Sequence, residues 1–187
     1  MNAKRPHHIG TLSPEMVLLG LVYESPGHGY DLHRKVIADL GYVWHLSQSQ
    51  TYSILKRLEA RGDISVEEVP QEKLPSRQLL HITGQGRERF LEWLDATSGG
   101  STRAIRLEFV TRLYFLQMYM PEKIPTAFER QRKEAMQNID RLQKSFAELP
   151  ENQIYNRMSL NLRLKQLQLI LEWLDECQKL FATPSIG

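Results

Sequence analysis

The sequence lacks several features that would assign a function directly. It has one cysteine, Cys177, among 187 residues, which excludes an intramolecular disulfide and a cysteine-based zinc site. No apolar run approaches the ~20 residues that span a bilayer, so no membrane segment is expected. A single cysteine fits a reducing cytoplasm, where we expect the protein to be located. The formal net charge is only +2, so any contact with nucleic acid must come from a local basic patch.

Signatures of catalysis are also missing. The chain has no glycine-rich phosphate loop, no histidine or cysteine set at metal-ligand spacing and no local nucleophile signature. The pair His7-His8 has no further ligands nearby. We therefore expect neither an enzyme nor a bound metal or cofactor. The hydrophobic fraction of 41% and the charged fraction of 25% are those of an ordinary globular protein.

One short segment, residues 47–62, combines an apolar face with a polar, cationic face. Advancing about 100° per residue places Tyr52, Ile54, Leu55 and Leu58 on one half of a helix. The other half carries small hydroxyls, an amide and two cations, namely Ser49, Gln50, Ser53, Lys56 and Arg57. Such a face suits the DNA major groove, since the amide can pair with adenine and the cations with guanine or phosphate. Taken alone, however, the segment is better explained as an amphipathic helix with a solvated side.

Two helices precede this segment. Ser13-Pro14-Glu15 is a helix start, and the residues that follow are apolar nearly all round. A second helix is predicted over Tyr30–Leu40. The short run Tyr42–Leu46 is either a connector or a brief strand. Two short helices followed by a polar-faced third helix resemble a helix-turn-helix.

The residues after Gly62 extend this pattern. Branched residues in Ile64–Val69 and in Arg77–Ile82 predict two strands, with a loop over Pro70–Ser76 between them. Thr83 is positioned to cap a fourth helix. A helix-turn-helix followed at once by a hairpin is the element order of a winged helix.

A change in composition predicts the domain boundary. Residues 97–101 read Thr-Ser-Gly-Gly-Ser, which is typical of a flexible linker, and the two glycines are a candidate hinge. We therefore predict a flexible N-terminal arm over residues 1–11, a winged-helix domain over 12–96, a linker over 97–101 and a helical dimerisation domain over 102–187. The fold class is mostly α with a small β-hairpin.

The C-terminal domain is predicted to be all helical. Three helices are expected, over Thr102–Met120, Thr126–Leu149 and Asn152–Phe181. The last helix has more apolar faces than its two neighbours can cover, and monomers rarely expose such a patch. We therefore expect a two-fold homodimer, assisted by the first helix of the chain. The predicted interface residues are Leu162, Leu167, Ile170, Leu174 and Phe181.

Three groups of residues resemble the PadR family of transcriptional regulators. In chain order they are His28-Gly29-Tyr30-Asp31-Leu32, then Thr51-Tyr52 with Leu55, Arg57, Leu58, Glu59 and Gly62, then Ile82-Thr83 with Gly86. The resemblance covers about residues 12–95. It implies a homodimeric winged-helix repressor of a palindromic operator, with the third helix in the major groove and the wing at the flanking backbone or minor groove. It also implies a small hydrophobic or aromatic effector, since some relatives release DNA when they bind such compounds.

We predict that double-stranded DNA meets the polar face of the third helix. Gln50, Ser53 and Lys56 are the candidates for contacts at or near base edges. Ser49 either caps the helix or contacts a phosphate. Tyr52 packs with its ring and offers its hydroxyl to a phosphate, a role that the resemblance also suggests.

The wing is less basic than the resemblance implies. Leu79-Leu80 stand where paired tyrosines are usual, and three acidic residues crowd the hairpin, namely Glu67, Glu68 and Glu72. Lys73 and Arg77 are its candidate DNA contacts, with a plain solvated loop as the alternative. On the third helix, Arg57 either contacts DNA or forms a salt bridge. Few phosphate contacts predict a modest dependence of affinity on salt.

Two alternatives remain open from the sequence. Trp93, close to the linker, either lines a cavity for a flat ligand or simply packs, and packing is favoured. The whole chain is either a DNA-binding regulator or a protein-interaction module whose winged helix binds no DNA. The acidic wing is the best support for the interaction module.

Overall fold

The structure is a computed structural model that describes residues 14–23, 25–71 and 74–182. Three predictions fall on other parts of the chain. The flexible N-terminal arm, the Ser13 cap and the wing cation Lys73 lie outside the described residues.

The chain divides into two compact units, Met1–Ala96 and Thr97–Gly187. The described part of the N-terminal unit contains helices and a small antiparallel sheet with the strand order β1-β3-β2. Its elements are α1 (Glu15–Leu21), β1 (Gly27–His28), α2 (Gly29–Leu40), α3 (Gln48–Ala60), β2 (Ile64–Gln71), β3 (Leu74–Ile82) and α4 (Gly84–Asp95). The predicted winged helix-turn-helix is confirmed, and the residues between α2 and α3 form a turn and a connector rather than a strand.

The hairpin is longer than predicted. β2 continues through Pro70, and β3 already contains Pro75, so the expected loop over residues 70–76 is mostly strand. Proline lacks a backbone donor and is accepted at sheet edges and irregularities. β2 is an edge strand, and its register shifts between Val69 and Gln71, at Pro70. β1 was missed because it has only two residues, and the glycines around it indicate a break.

The predicted third helix, α3, begins with a capping box at Ser47. The Ser47 Oγ accepts a hydrogen bond from the Gln50 backbone N–H at 3.2 Å, and the Gln50 Oε1 accepts one from the Ser47 N–H at 2.8 Å. This reciprocal pair satisfies two backbone donors at the helix start. Gly62 follows the C-cap residue with φ +79°, a left-handed conformation that favours glycine. Ser47 rather than Ser49 is therefore the cap, and the helix ends before Gly62 as predicted.

A close backbone approach joins the start of β2 to the start of α4. The Thr83 backbone N–H donates to the Asp63 carbonyl oxygen at 3.1 Å, and the Thr83 hydroxyl donates to the Gly62 carbonyl oxygen at 2.6 Å. The same hydroxyl oxygen accepts from the Gly86 N–H at 3.1 Å, which confirms Thr83 as the cap. Gly86 lies so close to Asp63 that a Cβ would come within 2.0 Å of the Asp63 carbonyl oxygen.

The C-terminal unit is helical throughout its regular elements. These are α5 (Thr102–Ala104), a π-helical turn (Ile105–Phe109), α6 (Val110–Tyr119), a 3-10 turn (Pro121–Lys123), α7 (Ile124–Glu148) and α8 (Ile154–Ala182). The helix predicted over Thr102–Met120 is thus interrupted by a π-helical turn. The core of the C-terminal unit includes Phe109 and Phe128, whose ring centroids are 5.3 Å apart in an edge-on arrangement. None of the described helices is long and apolar enough to cross a membrane.

The predicted flexible linker over residues 97–101 contains one residue, Ser98, that is fixed by hydrogen bonds. Ser98 is 1% exposed. Its backbone N–H donates to the Gln131 Oε1 at 2.9 Å, and its carbonyl oxygen accepts from the Gln131 Nε2 at 3.1 Å. Arg112 also donates to the Ser98 hydroxyl. Both backbone groups of Ser98 are therefore bound within the C-terminal unit, which a Gly/Ser composition does not reveal.

Gly86→Ala is expected to lower the free energy of unfolding by about 1–3 kcal/mol, because the added methyl group overpacks the Asp63 carbonyl. Gly84→Ala is the matched control in the same helical turn, where a Cβ meets nothing within 4 Å and alanine is the better helix former. Urea denaturation measures both variants. Equal stabilities would contradict the close approach.

Candidate nucleic-acid interface

The polar face of α3 is exposed, as predicted. Ser49, Gln50, Ser53, Lys56 and Arg57 all belong to the exposed residues of this helix. The opposite face is buried, but its buried residues differ from the predicted set. They are Thr51, Ile54, Leu55 and Leu58. Tyr52, which was assigned to the buried half, is 46% exposed.

Thr51 takes the buried position because its small side chain is satisfied by neighbouring polar groups. Its hydroxyl donates to the Ser47 carbonyl oxygen at 3.1 Å and lies 3.0 Å from the His33 Nδ1. A threonine hydroxyl has one proton, so His33 must donate from Nδ1. This chain of hydrogen bonds ties α2 to the first turn of α3.

Some polar groups on the exposed face are already engaged. The Gln50 Oε1 belongs to the capping box. The Ser53 Oγ accepts a hydrogen bond from the Arg57 Nη1 at 3.3 Å, and the Arg57 Nε donates to the Glu15 Oε1 at 3.4 Å. Arg57 therefore forms the salt bridge that was one of its two predicted roles. Lys56 forms no ion pair among the residues that the structure describes.

An ion-pair network holds the C-terminal end of α3. Buried Glu15 on α1 accepts from the Arg61 Nη2 at 3.0 Å and from the Arg89 Nη2 at 2.8 Å, in addition to its contact with Arg57. Arg89 also pairs with the fully buried Asp63. Two carboxylates and three arginines thereby connect α1, α3, the start of β2 and α4.

The pKa of Glu15 reflects this network. Burial alone would raise the pKa of the carboxyl group, but hydrogen bonds and charge from Arg89, Arg61 and Arg57 outweigh burial and lower the pKa below its usual 4.5. A lowered pKa means that the ionised carboxylate stabilises the folded state. The stabilisation is fully present above the unfolded-state pKa and disappears as the pH falls through the folded-state pKa.

A groove of about 640 Å³ separates α3 from the hairpin and the start of α2. Tyr52, Lys56 and Arg77 line it together, so the structure brings one predicted wing residue beside two predicted helix residues. The Tyr52 ring lies against Gly29, where a Cβ would come within 2.8 Å of its Cε1. The acidic residues Asp31 and Glu59 line the same groove, and apolar side chains from α3 and the strands complete it, namely Leu55, Val66 and Leu80.

The hairpin is attached to the helices, and one of its carboxylates contacts a histidine across the two strands. The His28 ring nitrogen Nδ1 lies 2.8 Å from the Gln78 carbonyl oxygen, which links the start of α2 to β3. Glu67 lies 2.8 Å from the His81 Nε2 across the two strands. One acidic side chain of the wing is therefore engaged within the hairpin itself.

Sequence reasoning missed two cations on α2. Arg34 and Lys35 line a shallow depression of about 780 Å³ together with Gln48, the first residue of α3. Arg34 lies 6.0 Å from the Tyr30 ring centroid, and Lys35 pairs with Asp39 at 3.1 Å. On the sequence they are ordinary charges on a solvated helix side, and only the folded arrangement places them beside α3.

The remaining predicted site residues separate into buried and exposed sets. Trp93 is buried and stacks on Phe90 with ring centroids 5.9 Å apart, so its surroundings favour packing, and a ligand at Trp93 stays a prediction.

In α8, three of the five predicted interface residues are buried within one chain, namely Leu167, Ile170 and Leu174. They have little surface left for a partner, whereas Leu162 and Phe181 are exposed.

Two further kinds of site, a metal centre and a reactive thiol, are not supported by the described residues. Within residues 14–23, 25–71 and 74–182, no three histidine, cysteine, aspartate or glutamate side chains are grouped as metal ligands. Cys177 is partly buried, and burial together with nearby Glu176 raises the pKa of its thiol, which disfavours a reactive thiolate.

Glu15→Gln is expected to lower the free energy of unfolding by about 1–3 kcal/mol at neutral pH, because three arginines lose their ionic contact with the Glu15 carboxylate. The difference from the wild type should shrink as the pH falls below 4.5, the usual pKa of glutamate, since the wild-type carboxylate then becomes protonated. Glu59→Gln, at an exposed position of α3, is the control. Denaturation at several pH values would contradict the network if the difference stayed constant down to about pH 3.

Comparisons with known proteins match both units of the chain. Residues 18–92 match the family model described as Transcriptional regulator PadR-like family. Residues 105–182 match the model described as Virulence activator alpha C-term.

Similar proteins include a curated regulator and solved structures. The Negative transcriptional regulator PadR of Bacillus subtilis is 24% identical over 132 residues, which cover 71% of this chain and 72% of that protein. The crystal structure of Bacillus subtilis PadR in complex with operator DNA has a TM-score of 0.45 and 21% identity, and covers 89% of this chain and 98% of that one. The structure of the same protein in complex with p-coumaric acid has a TM-score of 0.40 and 20% identity, with coverage of 91% and 98%. The winged-helix unit of the chain thus matches the PadR-like family of transcriptional regulators over residues 18–92.

Proposed function

We propose that this regulator is a repressor that binds a palindromic operator as a homodimer and reads it with α3 in the major groove. The observation that carries the proposal is the division of α3 into two faces. One face consists of four buried side chains, and the exposed face carries Gln50, Ser53, Lys56 and Arg57. A helix held in this way presents polar groups at a fixed angle, which is what base-edge contacts require.

The groups around α3 support a docking geometry on the DNA backbone. Arg77 and Tyr52 line the groove beside Lys56 on one side of α3. Arg34 and Lys35 lie beside the start of the helix on another side. Phosphate contacts from such flanking groups fix the register of a reading helix on the duplex. Lys35 is paired with Asp39 and Arg57 with Glu15. We therefore infer that few cations remain to contact phosphates, and that the affinity for DNA depends only modestly on salt.

The exposed apolar side chains of α8 support a dimer. Tyr155, Leu162 and Leu169 follow one another at seven-residue intervals and are all exposed, with Met158 on the same stripe. A seven-residue apolar repeat is the pattern of a helix that packs against another helix. A second copy of the same stripe would cover it in a two-fold arrangement. Two α3 helices must then sit about 34 Å apart to enter successive major grooves.

The sign of regulation and an effector belong to the same proposal. Repression is supported by the name of the curated relative, which is a negative regulator. We propose that a small hydrophobic or aromatic compound releases the operator, as the resemblance to PadR regulators implies. Tryptophan fluorescence in a titration with such compounds tests for the effector.

The second candidate is a protein-interaction module. The observation that favours it is the acidic hairpin, where Glu67 and Glu68 belong to the same strand. Retention of no duplex from a random DNA pool by the purified protein would favour this candidate over a DNA-binding regulator.

Lys56→Ala is expected to weaken operator binding by about 1–3 kcal/mol if the ammonium group reaches a base. Lys144→Ala on α7 is the matched control, since it removes an exposed lysine from the other unit. Fluorescence anisotropy at fixed salt concentration measures both affinities. Equal affinities of the two variants would remove Lys56 from the interface.

Leu162→Lys is expected to convert the dimer to a monomer, because a charge would replace an exposed apolar side chain at the centre of the α8 stripe. Tyr42→Lys is the control, since Tyr42 is 97% exposed in the N-terminal unit and lies outside the stripe. Light scattering at micromolar concentration gives the mass of each variant. A monomeric wild type, or a dimeric Leu162→Lys variant, would contradict the α8 interface.

A further inference from the structure

The hydrogen bonds within α3 determine which chemical groups its exposed face can still offer. We propose that this face presents hydrogen-bond donors almost alone, and that the half-site it reads is therefore one with guanine edges in the major groove. The inference rests on the proposed function, since it describes the DNA that α3 would select.

Gln50 is the first group limited in this way. A free glutamine reads adenine with two bonds, because its carbonyl oxygen accepts from the adenine N6 and its NH2 group donates to N7. Here the Oε1 accepts from the Ser47 N–H at 2.8 Å, and the Gln50 backbone is bound to the Ser47 hydroxyl. The carbonyl oxygen is thereby held at the helix start, and the NH2 group is the part of the amide that can extend to a base.

The next turn of the helix has the same character. The Ser53 oxygen accepts from the Arg57 Nη1 at 3.3 Å, which leaves its own proton for donation. Lys56 and Arg57 carry donors only. The Ser49 hydroxyl, also on the first turn, lies 3.0 Å from the Ser47 hydroxyl. The groups that project from the first two turns toward a duplex are therefore an amide NH2, two hydroxyls that are each already in one hydrogen bond, an ammonium and a guanidinium.

Base edges differ in how well they match such a surface. In the major groove, guanine offers two neighbouring acceptors, N7 and O6, whereas adenine places a donor beside its acceptor and cytosine offers a donor. Thymine offers a single acceptor beside a methyl group. Against a row of donors, guanine is the only base that satisfies two of them and leaves no donor facing another donor.

The acceptors near α3 lie away from its reading end. Glu59 follows Lys56 by nearly one turn toward the C-terminus and lines the groove beside the hairpin. Gln48 has a complete amide, but it lines the depression beside α2. Since residues near the N-terminus of a reading helix contact the bases, Gln50, Ser53 and Lys56 dominate the base contacts.

The first experiment alters single atoms of the DNA. Duplexes are selected from a random pool with the full-length protein, and each guanine of the preferred half-site is replaced in turn by 7-deazaguanine or by inosine. 7-Deazaguanine removes the N7 acceptor, and we expect at least one such change to weaken binding about 5-fold or more. Inosine keeps N7 and O6 and changes only the minor groove, so the affinity should stay close to that of the parent duplex.

The second experiment alters the protein at the capping box. Gln50→Glu keeps an oxygen that accepts from the Ser47 N–H, as the third residue of a capping box often does, but removes the NH2 donor. We expect an unchanged melting temperature and a loss of the guanine preference at one position of the half-site, measured by repeating the selection. Gln48→Glu is the control, since it adds the same charge to the same helical turn. It should leave the base preference unchanged.

The outcomes separate the inference from the function on which it rests. If no duplex is retained, the DNA-binding function and the guanine inference both fail. If duplexes are retained but every 7-deazaguanine change is neutral, or if Gln50→Glu keeps the wild-type preference, α3 does not read guanine through donors and only this inference is overturned.

Discussion

The burial of one face of α3 is the constraint on which the rest of the structure depends. Ile54, Leu55 and Leu58 pack into the core of the N-terminal unit, and Thr51 is satisfied by His33 and by the Ser47 carbonyl. Because the helix cannot rotate without exposing these groups, the residues between them must point outward. The placement of Gln50, Ser53 and Lys56 on the outer side of α3 is thus a consequence of the packing of the opposite side.

The two ends of α3 are fixed by different means. At the start, the capping box between Ser47 and Gln50 satisfies backbone donors and uses a side chain that could otherwise read a base. At the end, Arg57 and Arg61 are held by Glu15 on α1. The stability of α3 and the proposed DNA recognition therefore depend on the same side chains. Lys56 is the cation of the exposed face that these contacts leave available, within the part of the chain that the structure describes.

The spacing of apolar residues, together with residues that start or break helices, predicted much of the fold. The four helices of the N-terminal unit, the hairpin order and the Thr83 cap followed from apolar spacing and helix-start residues. Tyr52 was misplaced, because a helical wheel ranks an aromatic above a threonine and does not include the polar partners that allow Thr51 to be buried. The hydrogen bonds that fix Ser98 were missed for a related reason, since Gln131 and Arg112 contact it only after the chain has folded. Side chains on the exposed face were predicted, whereas their internal hydrogen bonds were not.

The central claim is that the exposed face of α3 lies in the major groove. A photoreactive side chain introduced at position 53 tests it most directly, because Ser53 is exposed on the turn between Gln50 and Lys56. With a duplex selected by the full-length protein, the account predicts cross-links from this position to bases. Cross-links that form from an equivalent probe at Glu68 on the hairpin, but not from position 53, would contradict it.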